Sequence, residues 1–280
     1  MTAPLNRQDR ASPTRPVGSA ALVAFRWLAM VLGLGVLGLM CLAWTPFALV
    51  LRGVLPRDVG SAIGRRVISY CFRFYVGVLR VACGCRIDLS ELDALTRERR
   101  PLVVVANHPS LLDAVLIVSR LPNAVCIMKG AVAHNAFLGA GAQLAGYVSN
   151  VSALSVVRGA LQDLKRHQSQ LVIFPEGTRT GEGPIGDCGA TAGVIAARAQ
   201  VPVQTLVITM SERYLGKGWP LFRPPPLPLH IRVEVSARFR VVPALADEFG
   251  HDLKAWYRAR LEGQPSPVLR ALVPEAGGQP

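Results

Sequence analysis

His108 and Asp113 are the residues of this sequence best placed to do chemistry. They lie in VVVANHPSLLDAV, residues 103–115, where β-branched apolar residues end in Asn107-His108-Pro109-Ser110 and Asp113 follows two leucines. A carboxylate that accepts the Nδ1 proton of a histidine fixes its tautomer and raises the basicity of Nε2, which can then take a proton from a hydroxyl. Pro109 presets a turn and Ser110 is a natural N-cap for a helix beginning at Leu111, which puts Asp113 at the third helical position. Ser110-Leu111-Leu112-Asp113 equally fits a capping box, in which Asp113 accepts a backbone N–H for ~1 kcal/mol of helix stability. On this stretch alone both readings stand.

A second cluster follows another apolar run. Leu171-Val172-Ile173-Phe174 leads directly into Pro175-Glu176-Gly177-Thr178-Arg179. Gly177 allows a ligand to approach the backbone closely, Arg179 offers a planar fork of donors suited to phosphate, and the Thr178 hydroxyl adds another. The competing reading is a surface turn with an exposed arginine.

The elements that must position these clusters are short. Apolar runs at Leu102–Ala106, Ala124–Met128, Leu171–Phe174, Val203–Ile208 and Ile231–Val235 alternate with helical patterns at Leu111–Ser119, Ser155–His167 and Ala190–Ala199. That alternation predicts an α/β fold, a mixed and largely parallel sheet flanked by helices, with chemistry at the C-terminal ends of the strands. The expected domain covers residues 84–263, and residues 264–280 read as a loose tail. His134, His167, His230 and His251 are isolated and read as surface or core residues. Glu182 and Asp187 decorate a Gly-rich loop at 181–189.

Residues 1–20 read as a flexible basic tail and residues 21–83 as a membrane anchor of two helices. From Leu28 to Leu51 there is no charged residue. As a helix that run reaches ~36 Å, enough for a hydrocarbon core of ~30 Å. Arg7, Arg10, Arg15 and Arg26 on one side balance Arg52, Arg57, Arg65 and Arg66 on the other, so the positive-inside comparison is a tie. Pro46 permits a bent helix that re-enters, and Val67–Val81 places Arg73 and Arg80 among apolar residues as an interfacial helix does. The expected location is a cytoplasmic membrane with the catalytic domain facing the cytosol.

The 280 residues carry a net charge of +13, are 51% hydrophobic and have a mean hydropathy of +0.34. The charge points to an anionic partner. Without basic, aromatic-interleaved recognition motifs, a lipid surface is the better match than nucleic acid. Six cysteines in mostly apolar runs, without a C-x-x-C pair or H-E-x-x-H, read as packed reduced thiols with no metal.

Together the two clusters resemble the phospholipid/glycerol acyltransferase family, which includes the lysophosphatidate acyltransferases. Asn107-His108-Pro109-Ser110-Leu111-Leu112-Asp113 looks like its N-H-x4-D block, and Phe174-Pro175-Glu176-Gly177-Thr178-Arg179 matches its F-P-E-G-T-R block. The resemblance covers roughly residues 85–240. It implies acyl transfer from a thioester, acyl-CoA or acyl carrier protein, to a hydroxyl of a lysophospholipid or related lipid, with no cofactor. In this reading His108 is the general base and Asp113 orients it. Asn107, Ser110, Lys129, Glu176, Gly177, Thr178 and Arg179 bind substrate. Two departures stand out. The family's second block ends in an arginine, but here Gly146-Tyr147-Val148-Ser149-Asn150 is followed by Val151. In the fourth block, Thr205 replaces one of two prolines. Lys129 or Arg158 is the candidate substitute for the absent guanidinium. The alternatives are a specialised non-glycerophospholipid acceptor or a non-catalytic lipid-binding protein of the same fold. A hydrolase would want a G-x-S-x-G elbow, which is missing.

Overall fold

A computed structural model describes residues 20–274 except 99, 134, 136, 137 and 266. The expected basic tail, apart from Ala20, lies outside the described residues, as do His134 and residues 275–280. In chain order the elements are α1 (Ala20–Val54), α2 (Arg57–Val81), β1 (Cys85–Asp88), α3 (Leu92–Arg97), β2 (Leu102–Ala106), α4 (Asp113–Val118), β3 (Ala124–Lys129), α5 (Gly130–Ala133) and α6 (Gly139–Leu144). They continue with β4 (Val148–Asn150), α7 (Ala153–His167), β5 (Gln170–Ile173), α8 (Thr191–Ala199), β6 (Val203–Met210), β7 (Leu229–Val241), a 3-10 turn (Pro243–Glu248), α9 (Phe249–Glu262) and β8 (Leu272–Pro274).

The strands form one sheet in the order β1-β7-β6-β2-β5-β3-β4, with β8 beside β7. The pairs β1·β7, β6·β2, β2·β5, β5·β3 and β3·β4 are parallel, while β6·β7 and β7·β8 are antiparallel. The sheet is therefore mixed and largely parallel, as the alternating pattern implied. β2 sits at its centre and is buried along its whole length. Its side chains divide between two cores: Leu102, Val104 and Ala106 pack on one face, Val103 and Val105 on the other. Burial on both faces is why this strand is continuously apolar rather than alternating. Tyr257 of α9 donates its hydroxyl to the carbonyls of Val105 and Leu206, locking α9 onto the β2·β6 pair.

The expected two-helix anchor divides. α1 has a stretch of mean hydropathy 2.1 that is only 17% buried, and among the described residues it alone is long and apolar enough to cross a membrane. It also touches the domain, since a Cβ on Gly33 would lie 3.4 Å from Leu79 and one on Gly141 2.9 Å from Trp44. α2 is part of the domain itself. Its Ile68, Tyr75, Val76 and Leu79 join the same core as Val104. Arg65, almost wholly buried, donates to Asp163 Oδ1 at 2.5 Å and to the Ala145 carbonyl at 2.8 Å. Arg73 and Arg80, expected at an interface, donate instead to the carbonyls of Ser119 and Ile87. The domain therefore begins at α2 rather than at residue 84. Nor is the C-terminal tail wholly loose, because β8 pairs with Phe239–Val241 and buries Leu272.

Candidate active site

Parallel pairing brings the two clusters together. Val105 of β2 faces Ile173 of β5, so both strands end at one edge and release His108 and Glu176 side by side. Helix α4 starts at Asp113, two residues later than the sequence suggested. Ser110 still accepts the Leu112 N–H, and its hydroxyl donates to the Tyr214 carbonyl at 2.6 Å.

The Asp113 carboxylate answers both readings of the first cluster at once. Its Oδ2 lies 2.8 Å from His108 Nδ1 and also accepts the Ser110 N–H at 2.8 Å. Its side chain is fully buried, whereas the His108 side chain is 17% exposed. An ionised carboxylate only accepts, so the proton between them belongs to Nδ1 and Nε2 carries the lone pair. Among the described residues Nε2 has no protein partner. Phe174 stacks on the imidazole, with centroids 4.0 Å apart and planes inclined by 19°.

Burial raises the Asp113 pKa from the ordinary 3.8 to about 6, against the opposing hydrogen bond from His108. Asp113 Oδ1 is buried without a hydrogen-bond partner among the described residues, which is consistent with that shift.

Glu176 faces the protein. Oε1 accepts the His108 backbone N–H at 3.0 Å and the Thr180 hydroxyl at 2.7 Å, while Oε2 accepts the Gly186 N–H at 2.8 Å. Thr180 also donates its N–H to the His108 carbonyl at 2.7 Å. The two clusters are thereby stitched together around the backbone of the histidine. Asn107 is likewise engaged: its amide donates to the Ile208 carbonyl and accepts the Ile208 N–H, continuing the β2·β6 ladder by a side chain. Arg179 Nη1 donates to the carbonyls of Leu215 and Gly216 at 2.8 and 3.0 Å. Gly177, at φ +63°, and Thr178 are exposed at the rim.

Lys129 ends β3, exposed. Cys126 is level with Val172, and Val172 with Val104, so Lys129 is level with Asn107 two strands away, a lateral offset of roughly 10 Å. It pairs with Asn150, the residue before Val151, and so flanks the position of the absent arginine. Arg158, the other candidate substitute, is exposed on α7. Thr205 is buried and donates to the Ala237 carbonyl, tying β6 to β7. The sequence reading missed Phe174 as a stacking partner, Thr180, and the segment 214–216. Only Phe174 had a signal, its place directly before the second cluster. Among the described residues no group of three His, Cys, Asp or Glu side chains could hold a metal.

Sheet and turns together define an α/β domain with His108 and Glu176 side by side at the C-terminal ends of two central parallel strands. A family model described as Acyltransferase matches residues 86–209. Over 169 residues the chain is 30% identical to mouse 1-acyl-sn-glycerol-3-phosphate acyltransferase alpha, covering 57% of this chain and 59% of the relative. It is 23% identical over 181 residues to 1-acyl-sn-glycerol-3-phosphate acyltransferase of Saccharomyces cerevisiae, covering 61% and 59%. The aligned parts thus span roughly three-fifths of the length of these curated relatives. The fold matches the crystal structure of the 1-acyl-sn-glycerophosphate (LPA) acyltransferase PlsC from Thermotoga maritima. The TM-score is 0.61 at 18% identity, over 86% of this chain and 97% of that one.

Proposed function

We propose that this protein transfers a fatty acyl group from a thioester, of coenzyme A or acyl carrier protein, to a hydroxyl of a lysophospholipid or related lipid at a membrane. The observation that carries the reading is the buried Asp113 carboxylate on Nδ1 of a partly exposed His108. The acceptor O–H gives its proton to Nε2 as its oxygen bonds to the thioester carbonyl carbon. The C–S bond then breaks, and the leaving thiolate takes the proton back from the imidazolium. The thioester is already activated, so general-base help worth ~10²–10⁴ in rate, with positioning of the two reactants, suffices.

Asn107, Ser110 and Glu176 act in this scheme as positioning residues, because their polar atoms are bonded within the protein. Arg179, Gly177, Thr178 and Lys129 remain for the acceptor's polar head. Val151 in place of an arginine favours an acceptor whose phosphate is gripped less tightly than that of lysophosphatidate, or one lacking a phosphate there. α1 holds the domain to the bilayer. The test is the purified chain in lipid vesicles with a thioester carrying an isotope-labelled acyl chain. Mass spectrometry is expected to find the label esterified to lipid. Label found only as free fatty acid, or left in the thioester across a panel of lysolipids, rejects the reading.

A further inference from the structure

The segment between β6 and β7, residues 211–228, has no part in the chemistry above, yet it abuts the histidine turn at several points. Tyr214 takes the Ser110 hydroxyl, Leu215 takes the Leu111 N–H, and Arg179 holds Leu215 and Gly216. At its tip the segment exposes Leu221 (51%) and Phe222 (71%) to water. Arg213, Lys217 and Arg223 are exposed along the segment, against one acid, Glu212, and the Arg213 guanidinium donates to the carbonyls of Gly181 and Gly183. The Arg223 guanidinium lies 4.9 Å from the Trp219 ring centroid, and the Trp219 indole donates to the Arg223 carbonyl. Two adjacent bulky apolar side chains followed directly by an arginine that lies over a tryptophan, in a segment with a cationic excess, suit the boundary between headgroups and acyl chains.

The neighbourhood narrows the occupant. Phe25 of α1 and Leu227 of the segment converge on Gly84, where a Cβ would lie 3.4 Å from each. A small crevice between them is lined by Met30 and Gly33 of α1 and by Tyr214 and Pro225. The apolar tip thus belongs to the same side of the molecule as the N-terminal part of α1, whose Leu28 and Val31 are 65% and 60% exposed. Leu111, beside the histidine, is exposed as well.

We infer that residues 219–223 form a second membrane contact, in which Leu221 and Phe222 enter the interface of an anionic leaflet while Arg223 and Lys217 meet its phosphates. This fixes the tilt of the domain and brings the mouth of the His108 site against the lipid surface, so that an acceptor reaches the base without leaving the bilayer. The inference rests on the reading of α1 as a membrane helix.

The test uses the full chain in vesicles of phosphatidylcholine with phosphatidylglycerol. A fluorophenylalanine replaces Phe222 or, as a control on α1, Phe47, which is 63% exposed. Fluorine resonances at both sites are expected to be broadened by nitroxide-bearing lipid and shielded from a soluble gadolinium chelate. If Phe47 behaves so while position 222 responds only to the chelate, the loop contact is overturned and the anchor survives. If neither site senses lipid, both are overturned. Separately, Leu221→Asp/Phe222→Asp is expected to lower transfer to a bilayer acceptor at least about tenfold, with a monodisperse short-chain acceptor unchanged. Equal loss on both acceptors counts against the inference. Absence of transfer by the unmutated chain rejects the acyltransferase reading, and the fluorine result still decides the contact.

Discussion

Two turns of similar polarity meet at the edge of the sheet, and they use that polarity in opposite ways. The turn after β2 presents a reactive ring with one nitrogen held and the other unengaged. The turn after β5 folds its charge inward: both Glu176 oxygens accept from the protein, and Arg179 braces the 215–216 backbone. Residues of one motif therefore differ in kind. In the proposed scheme the first turn carries the chemistry, and the second holds the backbone from which that chemistry is done.

The sharpest way to separate the two is to disarm the dyad without disturbing the frame. Asp113→Asn is expected to reduce kcat about 10³–10⁴-fold, because the amide no longer holds the imidazole in the tautomer that frees Nε2. It should not destabilise the fold at neutral pH. The folded pKa of Asp113, about 6, is raised above its ordinary 3.8. The folded state therefore binds that proton more tightly, and ionising the group costs stability progressively as pH rises through this window. That cost amounts to roughly 3 kcal/mol once both states are ionised. The variant's thermal midpoint should match or exceed the parent's near pH 7 and lose that advantage near pH 4. A large fall in midpoint near pH 7 contradicts the assignment.

Next in size is Glu176→Gln. One oxygen becomes an NH2 group facing N–H and O–H donors, at a cost of about 1–3 kcal/mol. Activity should drop roughly in step with the loosening of the His108 loop, with a lower thermal midpoint. A pure rise in KM at unchanged stability would return Glu176 to the substrate. The pH profile comes third: kcat/KM is expected to decline as pH falls through about 6, where the buried Asp113 carboxyl takes up a proton, and the position of this limb should shift in Asp113→Asn. The smallest effect belongs to Arg179→Ala. A rise in KM of about three- to tenfold, with about 1–2 kcal/mol lost from the frame, fits an arginine that shares its fork between the 215–216 carbonyls and the acceptor.

Much of this was legible from the residues, and the failures have physical causes. β2, β3 and residues 171–173 of β5 stand out because strands buried on both faces are continuously apolar. β1 was missed because Arg86 and Asp88 alternate with Cys85 and Ile87 at the sheet edge. β8, three residues long, exists only through its pairing with β7. α2 looked interfacial because its arginines lie among apolar residues, but Arg65 has a buried acid, Asp163, supplied from α7. At the site, the His108 and Asp113 pairing follows from local spacing. The inward turn of Glu176 does not, since its Gly186 donor lies in a glycine-rich loop without periodicity.

The most direct measurement is the rate of acyl transfer by His108→Ala, taken alongside its thermal midpoint on the same preparation. If this imidazole is the base, transfer falls by at least about 10² while the midpoint stays near that of the parent protein. Transfer at the parental rate by a folded His108→Ala protein contradicts the assignment at its root.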